Sequence, residues 1–157
     1  MAIRIIWVGK AKQTYVKDGI NDFIKRIRRF GKFEIVEIES KRYSKNADIE
    51  RTKLEESVKI IKSFKNSSFK IALDSEGEMM DSKSFSAILK KHFIQTGREI
   101  EFVVGGTYGL APLVLNRVDK KLSLSAMIMN HELVRLFLLE QIYRGFCIIH
   151  KMPYQKD

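Results

Sequence analysis

The C-terminal segment from His131 to Ile149 constrains the fold more than any other part of the chain. A helix that is apolar on every side must be buried on several sides. We therefore expect either a homodimer, in which this helix faces its own core and a partner subunit, or a monomer with a central helix. The apolar residues that point in nearly every direction around its axis are Leu133, Val134, Leu136, Phe137, Leu138, Leu139, Ile142, Tyr143 and Phe146.

The rest of the chain alternates short apolar runs with amphipathic segments. This order predicts an α/β fold, a mostly parallel sheet with helices on both faces. A length of 157 residues without repeats or linkers predicts one domain over residues 1–157. The predicted strands are Ala2–Val8, Phe33–Ile38, Ile71–Leu73 and Ile100–Val104, with a last strand or extended loop at Leu122–Met127, and further helices are predicted around Ile20–Phe30, Leu54–Phe64 and Phe85–Phe93.

Positive charge is concentrated in the first half of the chain. The net charge is +10, and residues 1–70 hold 18 Lys and Arg against 9 Asp and Glu. Two clusters stand out, Lys25–Arg29 and Lys41–Lys45. A basic face favours a polyanion such as RNA, because contacts with phosphate release counterions. A generally lysine-rich surface explains the composition equally well.

Several classes of protein do not fit the sequence. The apolar run Ile3–Val8 is too short for a signal peptide or a membrane span, which favours a cytoplasmic location and no membrane partner. Cys147 is the single cysteine, so no disulfide within the chain is expected. The three histidines have no metal-ligand spacing. We therefore expect no metal.

The strongest local motif for ligand binding is the glycine-rich turn Gly105–Gly109, which follows an apolar strand. Glycine permits close approach of a ligand to the backbone, and open α/β sheets bind ligands at the carboxyl ends of their strands. The turn is neither a dinucleotide fingerprint nor a phosphate-binding P-loop. An ordinary tight turn is the alternative interpretation.

Two further segments carry candidate site residues. In Leu122–His131 small residues alternate with apolar ones, which suits either a ligand wall or a core strand. The last helix holds two polar pairs at i,i+4 spacing, His131 with Arg135 and Glu140 with Arg144. The second pair is typical of a helix ion pair, but four such residues on an apolar helix also suit a buried polar site.

Taken in order, these motifs resemble those of the ribosomal RNA large subunit methyltransferases H, a SPOUT-class family. The resemblance rests on the glycine turn, on Leu-Ser-Leu-Ser at 122–125, and on His131, Arg135 and Glu140–Arg144. The start Ile5–Lys10 and the end Pro153-Tyr154 also match, so it covers the whole length.

The resemblance implies a C-terminal trefoil knot, a homodimer and S-adenosylmethionine as methyl donor. Such knots are rare, and no pattern in the residues would propose one. It also implies N3 of a pseudouridine in 23S ribosomal RNA, within the ribosome, as the methyl acceptor. The cofactor contacts implied by position are Leu73, Gly105, Leu124, Ser125, Ala126, Met127, Ile128 and Met129.

A division of roles among the polar residues follows from this chemistry. Arg135 and Arg144 are candidates for stabilising the deprotonated base or holding phosphate, and His131 is a candidate base. The residues expected to contact the RNA backbone are Arg26, Arg28, Arg29 and Tyr154.

Two positions depart from the family pattern. Asn130 stands where a proline is usual, and Gln155 where a histidine is usual. Glutamine keeps a hydrogen-bond donor but does not titrate near neutral pH. Two other functions remain open, a non-catalytic factor that binds the ribosome through the basic face, and a methyltransferase of the same fold that acts on transfer RNA.

Overall fold

A computed structural model describes residues 2–40 and 49–154. The basic cluster at 41–45 and Gln155 lie outside the described residues. The strands are β1 (Ala2–Val8), β2 (Lys32–Ile38), β3 (Phe69–Met79), β4 (Ile100–Val104) and β5 (Lys120–Ser123). The helices are α1 (Thr14–Ile27), α2 (Ile49–Ser63), α3 (Ser82–Leu89), the short α4 (Pro112–Leu115) and α5 (His131–Ile149). A π-helical turn, Lys90–Gln95, follows α3 directly.

The five strands form one sheet in the order β2-β1-β4-β3-β5, and each neighbouring pair is parallel. Trp7 of β1 lies opposite Val104 of β4, and Ala72 of β3 lies opposite Val103. The carboxyl ends of the three strands therefore meet at one edge. The prediction of a mostly parallel α/β sheet is confirmed.

Helices cover both faces of the sheet, as predicted. Alternate residues of β1 divide between the two layers: Ile3, Ile5 and Trp7 pack with α1, α3 and α5, whereas Ile6 and Val8 pack with α2 and α4. This alternation is the two-residue period of a strand. Because both sides are buried, β1 is apolar at nearly every position.

The bounds of two strands differ from those predicted, and both differences shape the site. β3 continues to Met79, past Leu73 where the predicted strand ends, because Leu73 and Glu78 both pair with Leu122. The residues between them therefore bulge out of the ladder. β5 ends at Ser123, so residues 124–130 run free of helix and strand up to α5.

The last helix has the predicted bounds and is buried against α1 and α3. Its buried residues include Leu138, Leu139 and Ile142, each fully inaccessible. Leu133 and Phe137 remain 37% exposed on another side of the same helix. The homodimer and the trefoil knot stay predictions.

The amino ends of the strands hold a buried ionic cluster. Glu101 of β4 is fully buried, pairs with Arg4 of β1 and accepts a hydrogen bond from Ser68 Oγ at 2.5 Å. Lys70 Nζ lies 3.9 Å from its carboxylate. Buried charges persist only when they are paired in this way. These contacts hold neighbouring strands together at the end away from the glycine turn.

Candidate active site

A cleft of about 490 Å³ opens at the carboxyl ends of the central strands. Its floor is the end of β4 with the glycine turn, and its walls are the ends of β3 and β5. Residues 124–130 and the first turn of α5 close the remaining side. The volume falls within the range of about 300–1,000 Å³ that is usual for small-molecule sites.

The glycine turn is shaped by its own backbone. A Cβ atom on Gly105 would lie 2.6 Å from the carbonyl carbon of Gly109, so only glycine fits there. Gly109 has a φ of +76°, which also favours glycine, and its N–H donates to Gly106 O at 3.0 Å. The turn is tight because of this contact within the protein, and it exposes backbone groups to the cleft.

The structure brings most of the expected cofactor residues to this cleft. Ala126 is the exception, because it does not line the cleft although it lies inside the expected segment. Ser125 shapes the segment, since its Oγ accepts from Met127 N at 3.0 Å and its carbonyl accepts from Ser123 Oγ at 3.0 Å. The expected residues that line the cleft are Leu73, Gly105, Leu124, Ser125, Met127, Ile128 and Met129.

Asp74 and Ser75 are cleft residues that were not predicted, and they reach the cleft from the bulge of β3. Thr107 and Leu110 also line the cleft, from the predicted glycine turn and its exit. The position of Asp74 directly after the apolar run of β3 is the signal that would have identified it. Among the described residues that line the cleft, Asp74 is the only acidic one.

His131 lines the cleft from the first turn of α5. Asn130 caps this helix, because its side chain accepts from Glu132 N at 2.8 Å. This cap explains structurally why asparagine is suitable at position 130, where the family usually has proline. Burial lowers the pKa of His131, and the charges of Arg135 and Lys12 lower it further. The imidazole is therefore neutral near neutral pH and can accept a proton.

Arg135 does not line the cleft, which corrects the expectation that it acts on the reacting base. It is 1% exposed, and its guanidinium donates to Val8 O at 2.5 Å and to Gly9 O at 3.0 Å. The central carbon of the guanidinium, Cζ, also lies 4.9 Å from the centre of the Trp7 ring. The guanidinium satisfies carbonyls at the end of β1, a structural role that the helical spacing did not reveal.

Glu132 ties the start of α5 to the start of α1. Its carboxylate accepts from the backbone N–H groups of Lys12 and Gln13, the latter at 3.2 Å. Gln13 is the N-cap residue of α1 and makes no side-chain cap of its own. Glu132 therefore satisfies the backbone N–H of this N-cap residue and of the residue before it, from another helix. We call the segment Gly9–Gln13, held by Arg135 at one end and Glu132 at the other, the β1–α1 loop.

We expect Glu132→Gln to reduce stability by about 1 kcal/mol at neutral pH, because charge-assisted hydrogen bonds become neutral ones. Burial alone would raise the pKa of Glu132, but the two N–H donors and the charges of His131 and Arg135 hold it below its ordinary value. A lowered folded-state pKa stabilises the protein above the unfolded pKa and is lost as pH falls through the folded one. Urea unfolding from pH 7 to pH 3 should give a smaller acid loss for Glu132→Gln than for the wild type. An equal acid loss would contradict this assignment.

Arg144, Tyr154 and Arg26 meet at the other end of α5. Arg144 donates to Glu140 Oε1 at 2.9 and 2.6 Å and lies 5.0 Å from the centre of the Tyr154 ring. Tyr154 donates to the same oxygen at 3.0 Å. Arg26 pairs with Asp22 at 2.9 Å and lies over the Tyr143 ring. We call Glu140, Arg144 and Tyr154 the C-terminal cluster.

The C-terminal cluster is far from the cleft of its own chain. Arg144 follows His131 by thirteen residues on α5. At 1.5 Å per residue, this separates their Cα atoms by about 20 Å. Arg144 therefore does not line the cleft. Arg28 and Arg29 are exposed at the same end of the molecule, where α1 ends.

The residues of the cleft fit S-adenosylmethionine. Apolar walls from Leu73, Leu124 and Met129 suit an adenine ring. The strand ends and the irregular segment 124–130 supply backbone N–H and C=O groups that are not used in helix or strand hydrogen bonds. Asp74 supplies a carboxylate for a hydroxyl or a cation. Within residues 2–40 and 49–154, no group of His, Cys, Asp and Glu side chains could hold a metal ion. None of the helices in these residues has the length and hydropathy that a transmembrane span requires.

Comparisons with known proteins agree with this fold. A family described as "Predicted SPOUT methyltransferase" matches residues 1–155. The ribosomal RNA large subunit methyltransferase H of Clostridium acetobutylicum is 38% identical over 99% of this chain and 100% of its own length. The protein of that name from Alkaliphilus oremlandii is 41% identical, with the same coverage of both chains.

Solved structures show the same fold at low sequence identity. A probable methyltransferase from Bordetella pertussis has a TM-score of 0.58 at 12% identity, over 91% of this chain and 93% of its own. A putative methyltransferase from Legionella pneumophila, solved with bound S-adenosylmethionine, has a TM-score of 0.54 at 9% identity, over 92% of this chain and 66% of its own. The fold, the strand-end cleft and the full-length matches agree, and the chain belongs to the SPOUT methyltransferase family, among the ribosomal RNA large subunit methyltransferases H.

Proposed function

We propose that this protein transfers a methyl group from S-adenosylmethionine to N3 of a pseudouridine in 23S ribosomal RNA. The observation that carries the proposal is the cleft at the carboxyl ends of β3, β4 and β5, closed by residues 124–130. A protein that only binds ribosomes has no need of such a cleft. Full-length relatives named ribosomal RNA methyltransferases support ribosomal RNA as the substrate, and the Legionella structure with bound S-adenosylmethionine supports the cofactor.

The cofactor supplies an electrophilic methyl group on its sulfonium, so the protein's task is mainly alignment and proton handling. Leu73, Leu124 and Met129 would hold the adenosyl part between apolar walls. The acceptor N3 carries a proton that must leave as the new bond forms. Neutral His131, on the cleft wall, is the group that can accept it.

We further propose that Arg144 of one subunit serves the cleft of the other in a homodimer. Phe137 lies midway between His131 and Arg144 along α5, and it is exposed together with Leu133. If two copies of α5 pack in opposite directions about a two-fold axis near Phe137, Arg144 comes close to the partner's His131. Met127 and Ile128, which are 81% and 104% exposed, would extend the buried surface.

The function is tested by two measurements on the full chain. Calorimetry with S-adenosylmethionine should give one site per subunit. Mass spectrometry of 23S RNA from a deletion strain should then find one pseudouridine that lacks its methyl group, restored by the purified protein on ribosomes. Binding to ribosomes without cofactor binding would favour the non-catalytic factor, and a missing methyl group in transfer RNA would favour the other substrate.

We expect Phe137→Asp to dissociate the dimer and abolish methyl transfer. A two-fold interface receives two buried carboxylates from this single change, which should weaken dimerisation at least a hundredfold. Leu136 is less suitable, because its side chain packs against Gly19 of α1 in the same chain. Sedimentation equilibrium gives the dissociation constant. Val58→Asp is the matched control, since Val58 is 42% exposed on α2, across the sheet. A dimeric Phe137→Asp protein would contradict the proposed interface.

A further inference from the structure

We propose that the β1–α1 loop, with Tyr15 at the start of α1, binds the phosphates and an unpaired base of the substrate RNA at the mouth of the cleft. This inference rests on the proposed function and adds to it an RNA-binding surface. The surface consists of the side chains of Lys10, Lys12 and Tyr15, and we call it the loop surface. It is separate from the arginines at the other end of α1.

The sheet topology brings the loop surface to the cleft. β1 lies beside β4, with Trp7 opposite Val104, so the chain leaves β1 next to the start of the glycine turn. Neighbouring strands are about 4.8 Å apart. The side chain of Val8 confirms the proximity, because a Cβ atom on Gly106 would lie 3.4 Å from Val8 Cγ1. Gly106 lines the cleft.

The first turn of α5 holds the loop in one conformation. Arg135 binds the carbonyls of Val8 and Gly9, and Glu132 binds the N–H groups of Lys12 and Gln13. His131, which lines the cleft, is the neighbour of Glu132 in the chain. The loop is therefore fixed beside the wall of the cleft, and a surface that is already ordered loses less entropy on binding.

The exposed side chains of this loop have the chemistry that RNA requires. Lys10 and Lys12 are exposed, and within residues 2–40 and 49–154 neither has an ion-pair partner. The charge of Lys12 reaches His131, since it contributes to the lowered pKa of that residue. Tyr15 is 60% exposed. Lysines bind phosphate, and exposed aromatic rings stack on unpaired bases.

The arginines at the far end of α1 are less well placed to present a substrate to this cleft. Arg28 and Arg29 are exposed but follow Lys12 by more than fifteen residues, most of them helical. The length of α1 alone is about 20 Å. Arg26 is engaged by Asp22 and Tyr143. These arginines can hold RNA at a distance, whereas the loop surface contacts nucleotides next to the reacting base.

The test compares three double variants of the full chain: Lys10→Ala/Lys12→Ala, Arg28→Ala/Arg29→Ala, and the control Lys59→Ala/Lys62→Ala on α2. Each removes two exposed positive charges. Binding to ribosomes from a deletion strain is measured over about 50 to 200 mM salt. For the loop variant we expect the slope of log K against log salt to fall by about 2, one per lost phosphate contact, and the RNA concentration for half-maximal methylation to rise about tenfold. S-adenosylmethionine affinity, measured by calorimetry, should be retained.

Two further measurements separate a direct contact from a structural effect. Tyr15→Ala should weaken RNA binding about tenfold, whereas Tyr15→Phe, which keeps the ring, should not. In Lys12→Ala the pKa of His131, followed by NMR of the free protein, should rise, since one of the charges that lowers it is gone. This readout does not depend on RNA.

The outcomes distinguish this inference from the proposed function. If the wild type methylates 23S RNA but the loop variant keeps its salt slope, the loop surface does not bind RNA and the inference fails alone. If the loop variant loses S-adenosylmethionine binding, the loop belongs to the cofactor site and the inference also fails. If the wild type methylates no RNA at all, the proposed function itself is wrong.

Discussion

Replacing Arg144 by alanine is expected to lower kcat for methyl transfer at least a hundredfold, with S-adenosylmethionine affinity unchanged. A fixed positive charge beside N3 would stabilise the anion that forms as the proton leaves, and removing one such donor costs about a hundredfold to a thousandfold in kcat. Glu140 and the Tyr154 ring hold the guanidinium in one position. Steady-state kinetics at saturating RNA measure kcat, and single-turnover kinetics with enzyme in excess measure the methyl-transfer step itself. A change confined to KM for RNA would make Arg144 a residue that only binds RNA.

A mixed dimer tests whether Arg144 acts across the subunit interface. In a heterodimer of Arg144→Ala and His131→Ala subunits, one cleft combines an intact His131 with the partner's intact Arg144. The other cleft carries both changes. Co-expression should therefore restore about a quarter of the wild-type sites, because half of the dimers are mixed and each has one intact site. No restoration would mean that Arg144 acts within its own chain or not at all.

Gly105→Ala is expected to destabilise the protein by about 1–3 kcal/mol and to abolish measurable S-adenosylmethionine binding. The added Cβ would lie 2.6 Å from Gly109 C and 2.8 Å from Gly109 O, both backbone atoms that cannot turn aside. The glycine turn would have to open, and overpacking of this kind usually destabilises a protein by such an amount. The floor of the cleft would move with it. Calorimetry and urea unfolding measure the two effects.

Gly106→Ala is the matched control for this change. Its Cβ would meet Val8 Cγ1 at 3.4 Å, a side-chain atom that can shift slightly. We expect a stability within about 0.5 kcal/mol of the wild type. Glycine at 105 thus serves first to let the backbone pass close to Gly109, not only to admit a ligand. If Gly105→Ala bound the cofactor normally, the turn would not form the floor of the cofactor site.

The periodic features of the sequence predicted the fold well. Strands buried on both faces, such as β1, need apolar residues at nearly every position, so they stand out in a sequence. The cap of α5 and the Gly-Gly turn are local signals too. In contrast, the bulge of β3 follows from pairing with β5, because Leu73 and Glu78 share the partner Leu122. No local pattern encodes that partner, so the bulge and Asp74 within it were missed.

The polar residues of α5 show which features the sequence determines and which features depend on the tertiary structure. Their spacing was enough to predict a helix with His131, Arg135 and Arg144 on it, since helical geometry depends on near neighbours. Their roles depend on what folds against each one. Arg135 meets the end of β1 and Glu132 the start of α1, more than a hundred residues earlier in the chain. The sequence thus determined the helices and strands and the resemblance to a family. Only the tertiary structure decided which side chains reach the cleft, because contacts between distant segments form only when the sheet is assembled.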